Sequence, residues 1–314
     1  MEHRNLGRSG LRVSAIGLGC NNFGGRIDLE ASRAVIHKAL DVGVTLFDTA
    51  DVYGERGGSE TCMGEILGDA RKRIVLATKF GMPMDDSGET QGGSRRYVFA
   101  AVEASLRRLK TDWIDLYQLH RPDPRTPIEE TLRALEDLSR AGKIRYYGCS
   151  NLPAWQVVEA QWTAKTHNLS GFVSCQDEYS LLVRDAEPDL MPAMRSYGLG
   201  LLPYFPLGSG LLTGKYRRNM PMPEEARLTK TQRLADRYLT ERNWLKAEKV
   251  IDLAETRGVP PLHFAVAWLL AHEPVSSVIA GATKPEQIEQ NAAAGGYTLT
   301  DEDRAELDRV TADD

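Results

Sequence analysis

Short apolar runs alternate with amphipathic segments along almost the whole chain. Runs at residues 15–18, 44–47, 74–77, 114–118, 146–149, 172–175, 200–204 and 277–279 have the length and composition of strands. Between them, residues 29–40, 59–67, 98–109, 128–141, 153–166, 189–197 and 261–271 carry helical spacing. In the third of these, Val98, Ala101, Val102, Ser105, Leu106 and Leu109 share one helical face, and Arg107, Arg108 and Lys110 fall off it. A strand–helix alternation of this kind pairs its strands in parallel. Eight strand candidates favour an α/β (β/α)8 TIM barrel over an open sheet. A Gly-Arg-Ser-Gly turn at residues 7–10, between Arg4-Asn5-Leu6 and Leu11-Arg12-Val13, predicts an N-terminal β-hairpin before the barrel begins.

Two stretches break the rhythm. Residues 81–94 (GMPMDDSGETQGGS) read as a mobile loop, and residues 215–243 as a longer polar connection with Pro221 and Pro223. Loops longer than about 12 residues are more often functional than inert. Neither break is a convincing linker, and no repeat is visible, so residues 1–314 are expected to form a single barrel domain.

Composition narrows the class. The 314 residues are 42% hydrophobic and 26% charged, with a net charge of -5 and no dense Lys/Arg block, which argues against nucleic acid as a partner. The N-terminus lacks the apolar core of a secretion signal and no stretch is long enough to span a membrane, so the expected location is the cytoplasm and no membrane partner is expected. Cys20, Cys62, Cys149 and Cys175 are far apart, which fits buried or strand-end thiols better than a disulfide scaffold or a metal site. Oligomeric state leaves no mark in the sequence.

Four motifs carry chemistry: residues 46–54 (LFDTADVYG), 77–81 (ATKFG), 116–120 (LYQLH) and 148–151 (GCSN). They fall at the ends of successive strand candidates, and strand ends converge on one face of a barrel. Asp48, Tyr53, Lys79 and His120 would therefore meet there, although 72 positions separate the first from the last. In these motifs the chain resembles the aldo-keto reductases, which reduce carbonyls, and that reaction requires a hydride on carbon and a proton on oxygen, with the developing oxyanion stabilised. Lys79 beside Tyr53 would favour the phenolate and so make the phenol a better acid, and Asp48 would hold Lys79 charged. His120 would add a hydrogen bond to the substrate oxygen. Each residue also has a plain alternative: Asp48 as a helix cap, Lys79 at the surface, His120 in a turn, Tyr53 as a packed aromatic. Together, at consecutive strand ends, they argue for a site.

These motifs, with the opening residues 4–11 (RNLGRSGL) and residues 281–287 (GATKPEQ), make the chain resemble the aldo-keto reductases over nearly its whole length. The resemblance includes the branch of bacterial enzymes and channel β-subunit-like chains. It implies a (β/α)8 barrel with the hairpin plugging the N-terminal end, extra C-terminal helices, a small carbonyl substrate and NADP(H). It assigns the four residues above the roles just described.

Ser150, Asn151 and Gln176 stand at the ends of the fifth and sixth strand candidates, and such side chains can pair with a carboxamide. The resemblance assigns them to the nicotinamide amide, and Tyr204 to stacking on its ring. Ser150-Asn151 could instead cap the next helix. In Leu207-Gly208-Ser209-Gly210 and on to Lys215, glycines would let backbone amides approach a pyrophosphate. The stretch is not a Walker A loop, since five residues separate Gly208 from Gly214-Lys215 and Tyr216 replaces Ser/Thr. Residues 17–22 (GLGCNN) fail the Rossmann fingerprint at Asn22 and read as a glycine-rich strand end. The hydroxyl of Thr283 and ammonium of Lys284, with Gln287, suit a 2′-phosphate, and the family uses this segment for the adenosine end of NADP. Asn291 fits the adenine position, Gln290 replaces the commoner glutamate, and Gln287 stands where many members carry arginine.

The leading expectation is NADPH-dependent reduction of an aldehyde, ketone or small sugar. Two alternatives are a nicotinamide-binding regulatory or redox-sensing subunit and a Schiff-base aldolase built on Lys79.

Overall fold

The computed structural model describes residues 1–224 and 226–312. A hairpin of β1 (His3–Asn5) and β2 (Arg12–Ser14) comes first. Then follow β3 (Ile16–Gly19), α1 (Leu29–Asp41), β4 (Leu46–Asp48), α2 (Tyr53–Leu67), β5 (Val75–Phe80), α3 (Arg95–Leu109), β6 (Ile114–Leu119) and α4 (Ile128–Arg140). The chain continues through β7 (Ile144–Ser150), α5 (Ala154–Thr166), β8 (Ser174–Gln176), α6 (Leu190–Tyr197) and β9 (Gly200–Leu201). After these come α7 (Arg227–Lys230), α8 (Gln232–Tyr238), α9 (Glu241–Thr256), α10 (Pro261–Leu270), β10 (Val278–Gly281), α11 (Pro285–Ala294) and α12 (Asp301–Thr311).

Strands β3 to β9 pair in chain order, all parallel, and β10 lies beside β3. The last gap is closed by a parallel bridge between Leu201 and Val275, where Ser276 N–H donates to Leu201 O and Ile279 N–H to Pro203 O, both at 2.9 Å. The result is a (β/α)8 barrel. At its N-terminal end, Leu6 and Val13 of the hairpin region pack with Leu46, Ala77, Leu116, Leu202 and Ile279, so the hairpin covers the innermost apolar layer. Gly7 makes that contact close: at φ +56° a Cβ would stand 2.4 Å from Gly198 O. Outside the strands, helices bury one face each, as α3 does with Val98, Ala101, Val102, Ser105, Leu106 and Leu109.

Most strands run further toward their C-terminal ends than hydrophobicity marks. Asp48, Thr78, Lys79, Ser150 and Gln176 all sit within the ladder. Their side chains are buried and hydrogen-bonded, those of Asp48, Lys79 and Gln176 to one another and that of Thr78 to Glu60 on α2, so polarity there does not mean solvent. The exception is β9, expected to reach residue 204, which stops at Leu201; Pro203 has no N–H to continue the ladder.

The connection at 215–243 is not the loop its polarity suggests. It contains α7, α8 and the start of α9, and Leu228, Leu234 and Tyr238 are buried beneath it. Residues 81–94 do form a loop, but a tied one: Gly92 N–H donates to Gly81 O at 3.0 Å, Met84 N–H to Thr90 O at 3.1 Å, and Arg56 pairs with Asp86 at 2.5 Å.

Candidate active site

Tyr53 owes its position to an unusual turn. Immediately after it, Gly54, Glu55, Arg56 and Gly57 all have positive φ, between 59° and 122°, before α2 resumes its ordinary course. Left-handed backbone costs a non-glycine residue about 1–2 kcal/mol. The turn is held by bonds on its far side, where Ser59 Oγ donates to Cys20 O at 2.8 Å and pairs with Thr49 Oγ1 at 2.8 Å. Gly54 is required: a Cβ would stand 2.5 Å from both Phe23 O and Ser59 N.

The structure brings all four expected residues together at the C-terminal ends of the strands. Lys79 Nζ lies 2.7 Å from Asp48 Oδ2 and donates to Thr49 O at 2.8 Å, with the side chain fully buried. The same ammonium sits 5.2 Å from the Tyr53 ring centroid, and the His120 ring meets Tyr53 edge-on at 5.6 Å. Asp48 caps no helix. Its Oδ1 accepts from Gln176 Nε2 at 2.8 Å and Gln118 Nε2 at 3.2 Å. Gln118 is the residue sequence reasoning passed over, and the signal was present: two positions before His120 on the same strand motif, it shares His120's side of the chain.

Burial and charge set the protonation states. Burial works against the Lys79 charge, but Asp48 and Tyr53 outweigh it and hold the ammonium's pKa above its ordinary value. Burial also pushes the Tyr53 phenol up, and the pull of Lys79 offsets this only in part. Lys79 thus favours the phenolate as expected, but burial outweighs it, because removing a phenolate from water costs more than one neighbouring ammonium returns. His120 is lowered to about 2 by burial, then by Lys79 and Arg121, so its imidazole is neutral. Its Nδ1 has no partner among the described residues. A buried cation, a phenol and a neutral imidazole on one mouth can hold a carbonyl oxygen and deliver a proton to it.

The expected nicotinamide residues lie beside this group. Ser150 Oγ donates to Gln176 O at 2.6 Å, and Asn151 Nδ2 to Ser150 Oγ at 2.9 Å and His120 O at 3.1 Å. Tyr204 Oη donates to Asn151 Oδ1 at 2.7 Å. The helix-cap alternative for Ser150-Asn151 does not hold, since α5 begins after Pro153 with no side-chain cap.

Further along the mouth, Gly208, Ser209 and Gly210 have φ of 52°, 56° and 97°, and within this tight turn the N–H groups of Gly208 and Gly210 donate to Phe205 O at 2.9 Å and Leu207 O at 2.8 Å. A Cβ on Gly210 would stand 2.7 Å from Lys215 Nζ, so that ammonium crosses the glycines. Ser209 Oγ is buried without a partner among the described residues, and burial, then Arg26 and Arg227, lower the Lys215 pKa. The unpaired Ser209 hydroxyl and the neighbouring cations fit a pyrophosphate, whereas the Gly208 and Gly210 N–H groups are already engaged. At α11, Gln287 Oε1 accepts from Thr283 N–H at 2.8 Å and lies 3.3 Å from Thr283 Oγ1, while Lys284 and Gln290 are exposed and Asn291 is buried. Gln287 thus orders Thr283 rather than standing free.

Fold and site together define an oxidoreductase barrel. The family model described as "Aldo/keto reductase family" matches residues 15–312, and the chain belongs to that family. It is 38% identical over 312 residues to the "Uncharacterized oxidoreductase YrpG" of Bacillus subtilis, covering 96% of this chain and 93% of that one. It is 38% identical to a "Probable voltage-gated potassium channel subunit beta" of Oryza sativa (94% and 91% covered) and 34% identical to the "L-glyceraldehyde 3-phosphate reductase" of Escherichia coli K12 (100% and 93% covered).

Proposed function

We propose that this protein reduces an aldehyde, ketone or small sugar carbonyl to the alcohol with NADPH, and that Tyr53 donates the proton. The observation that carries the reading is Lys79, fully buried, paired with Asp48 and set against the Tyr53 ring. When bound, the reduced nicotinamide would supply the hydride, its carboxamide held by Ser150, Asn151 and Gln176 and its ring against Tyr204. His120, neutral and edge-on to Tyr53, donates a hydrogen bond to the carbonyl oxygen. As negative charge develops there, Tyr53 releases its proton to that oxygen, and the ammonium of Lys79 stabilises the phenolate left behind. Thr283, Lys284 and Asn291 would hold the adenosine end, with the 2′-phosphate on Thr283 and Lys284.

Incubation with a panel of carbonyl compounds, following NADPH loss with NADH in parallel, tests this directly. Consumption dependent on both carbonyl and enzyme is expected. No turnover with any aldehyde, with NADPH bound tightly, would favour the regulatory reading, to which the channel-subunit relatives give weight. The aldolase reading is weaker: a Schiff-base lysine must lose its proton to attack, and Asp48 holds that of Lys79 in place.

A further inference from the structure

Behind the Tyr53–Lys79 pair lies a second group of polar side chains that the reaction just described does not use. Asp51 stands between Asp48 and Tyr53, and its backbone N–H donates to Lys79 O at 3.1 Å. Its side chain is 1% exposed. Among the described residues Oδ1 has no hydrogen-bond partner, and Oδ2 meets Tyr97 Oη at 3.5 Å. Glu60 of α2 shares the pocket but is fully engaged, accepting from Thr78 Oγ1 at 2.6 Å and Arg108 Nε at 2.7 Å. The hydroxyl of Tyr117 on β6 is buried and has no partner among the described residues.

Arg108 is paired with Glu60, and among the described residues no cation forms an ion pair with Asp51. A carboxylate buried with an oxygen unpaired gives way to the neutral acid. We propose that Asp51 is a positioning residue for the Tyr53–Lys79 pair, one that carries its proton throughout the reduction and so leaves Asp48 as the anion that Lys79 answers. This rests on the reading of Tyr53 as proton donor. The proton that reaches the substrate comes from the Tyr53 O–H bond, and Asp51 keeps its own.

The charged and titratable groups around Asp51 are Asp48 on β4, Tyr53 and Glu60 on α2, Lys79 on β5, Tyr97 and Arg108 on α3, and Tyr117 on β6, with Asp85 acting on Tyr97 from the 81–94 loop. Burial and then Glu60 raise Asp51 to about 8, against Arg108, the Val52 N–H and Lys79. Burial holds Tyr53, Tyr97 and Tyr117 above their ordinary values. Below its pKa Asp51 is neutral. Above it, a second anion faces Lys79 and pushes the Tyr53 phenol further up, making it a weaker acid and slowing reduction.

The test compares kcat for reduction of a small aldehyde with NADPH, across pH, in the wild type and in Asp51→Asn, which keeps shape and cannot ionise. The two should agree within about threefold near neutrality, and the variant should be about tenfold faster well above the pKa, where its alkaline limb has moved up. An equal loss at every pH, or an unchanged profile, would overturn the proposal. Should Asp51→Asn fail to fold, Tyr97→Phe serves instead: without the Tyr97 hydroxyl Asp51 holds its proton more tightly, so the alkaline limb should rise, and an unmoved limb counts against the idea. A protonated-carboxyl infrared band that is present at neutral pH, lost in alkali and missing from Asp51→Asn reads the Asp51 proton without turnover. Its absence overturns the proposal even in an active enzyme, whereas a wild type with the band but no turnover overturns the reductase reading instead.

Discussion

Gln176 Nε2 donates to Asp48 Oδ1 at 2.8 Å, so a side chain at the end of β8 holds the carboxylate that holds Lys79. The residue expected at the nicotinamide amide is thus built into the ion pair. Removing the Asp48 charge alone leaves a buried ammonium unanswered, which typically costs about 3–5 kcal/mol. Asp48→Asn should lose stability of that order in urea unfolding. The double change Asp48→Leu, Lys79→Met should recover much of it while remaining without turnover. Recovery of both together would mean that the pair serves folding alone.

Tyr53→Phe keeps the ring between Lys79 and His120 and removes the hydroxyl. Turnover should fall by at least about a hundredfold while NADPH affinity, read by fluorescence titration, is retained. Near wild-type reduction of a good aldehyde by this variant would remove Tyr53 from the role of acid.

Lys284 is exposed at the start of α11 and has no ion-pair partner among the described residues. A charge-assisted contact to phosphate is worth about 1.5–3 kcal/mol. Lys284→Ala should therefore raise the Kd for NADPH by at least about tenfold and leave that for NADH almost unchanged. Gln287→Ala should act on the same preference indirectly, by releasing Thr283. Equal weakening of both cofactors would place the discrimination elsewhere.

Asp177 supplies a pH test of stability that does not depend on activity. Its Oδ2 is buried without a partner among the described residues, and burial raises its pKa from 3.8 to about 7, against the Asn151 N–H. A raised folded-state pKa contributes stability that is fully present below the unfolded value and is lost as pH climbs through the folded one. The loss therefore falls between 3.8 and about 7. At ~1.4 kcal/mol per pH unit, that interval bounds the effect near ~4 kcal/mol. Asp177→Asn should raise Tm relative to wild type at pH 8 and change it little at pH 4, and the opposite ranking would show that the carboxylate is paired.

Periodicity marked the elements and their count favoured a barrel over an open sheet, because a strand pointing alternately inward and outward and a helix with one apolar face leave different spacings in the chain. The same period placed Asp48, Lys79 and His120 at strand ends, where a closed parallel barrel must gather them. Other features depended on contacts between distant segments. Local polarity marked residues 215–243 as loop, whereas Leu228, Leu234 and Tyr238 gain a buried face only once the barrel is there to cover. The sign of the Tyr53 shift could not be read from a neighbouring lysine, since it depends on how completely β4, β5 and α2 exclude water from both. Gln118 holding Asp48, Asp51 Oδ1 left without a partner among the described residues and Gln287 turned onto Thr283 are likewise settled by packing. The sequence determined which chemistry arrives at the mouth of the barrel; the tertiary structure decided which of those groups are paired, buried and protonated, because desolvation acts on the assembled site and not on the residue.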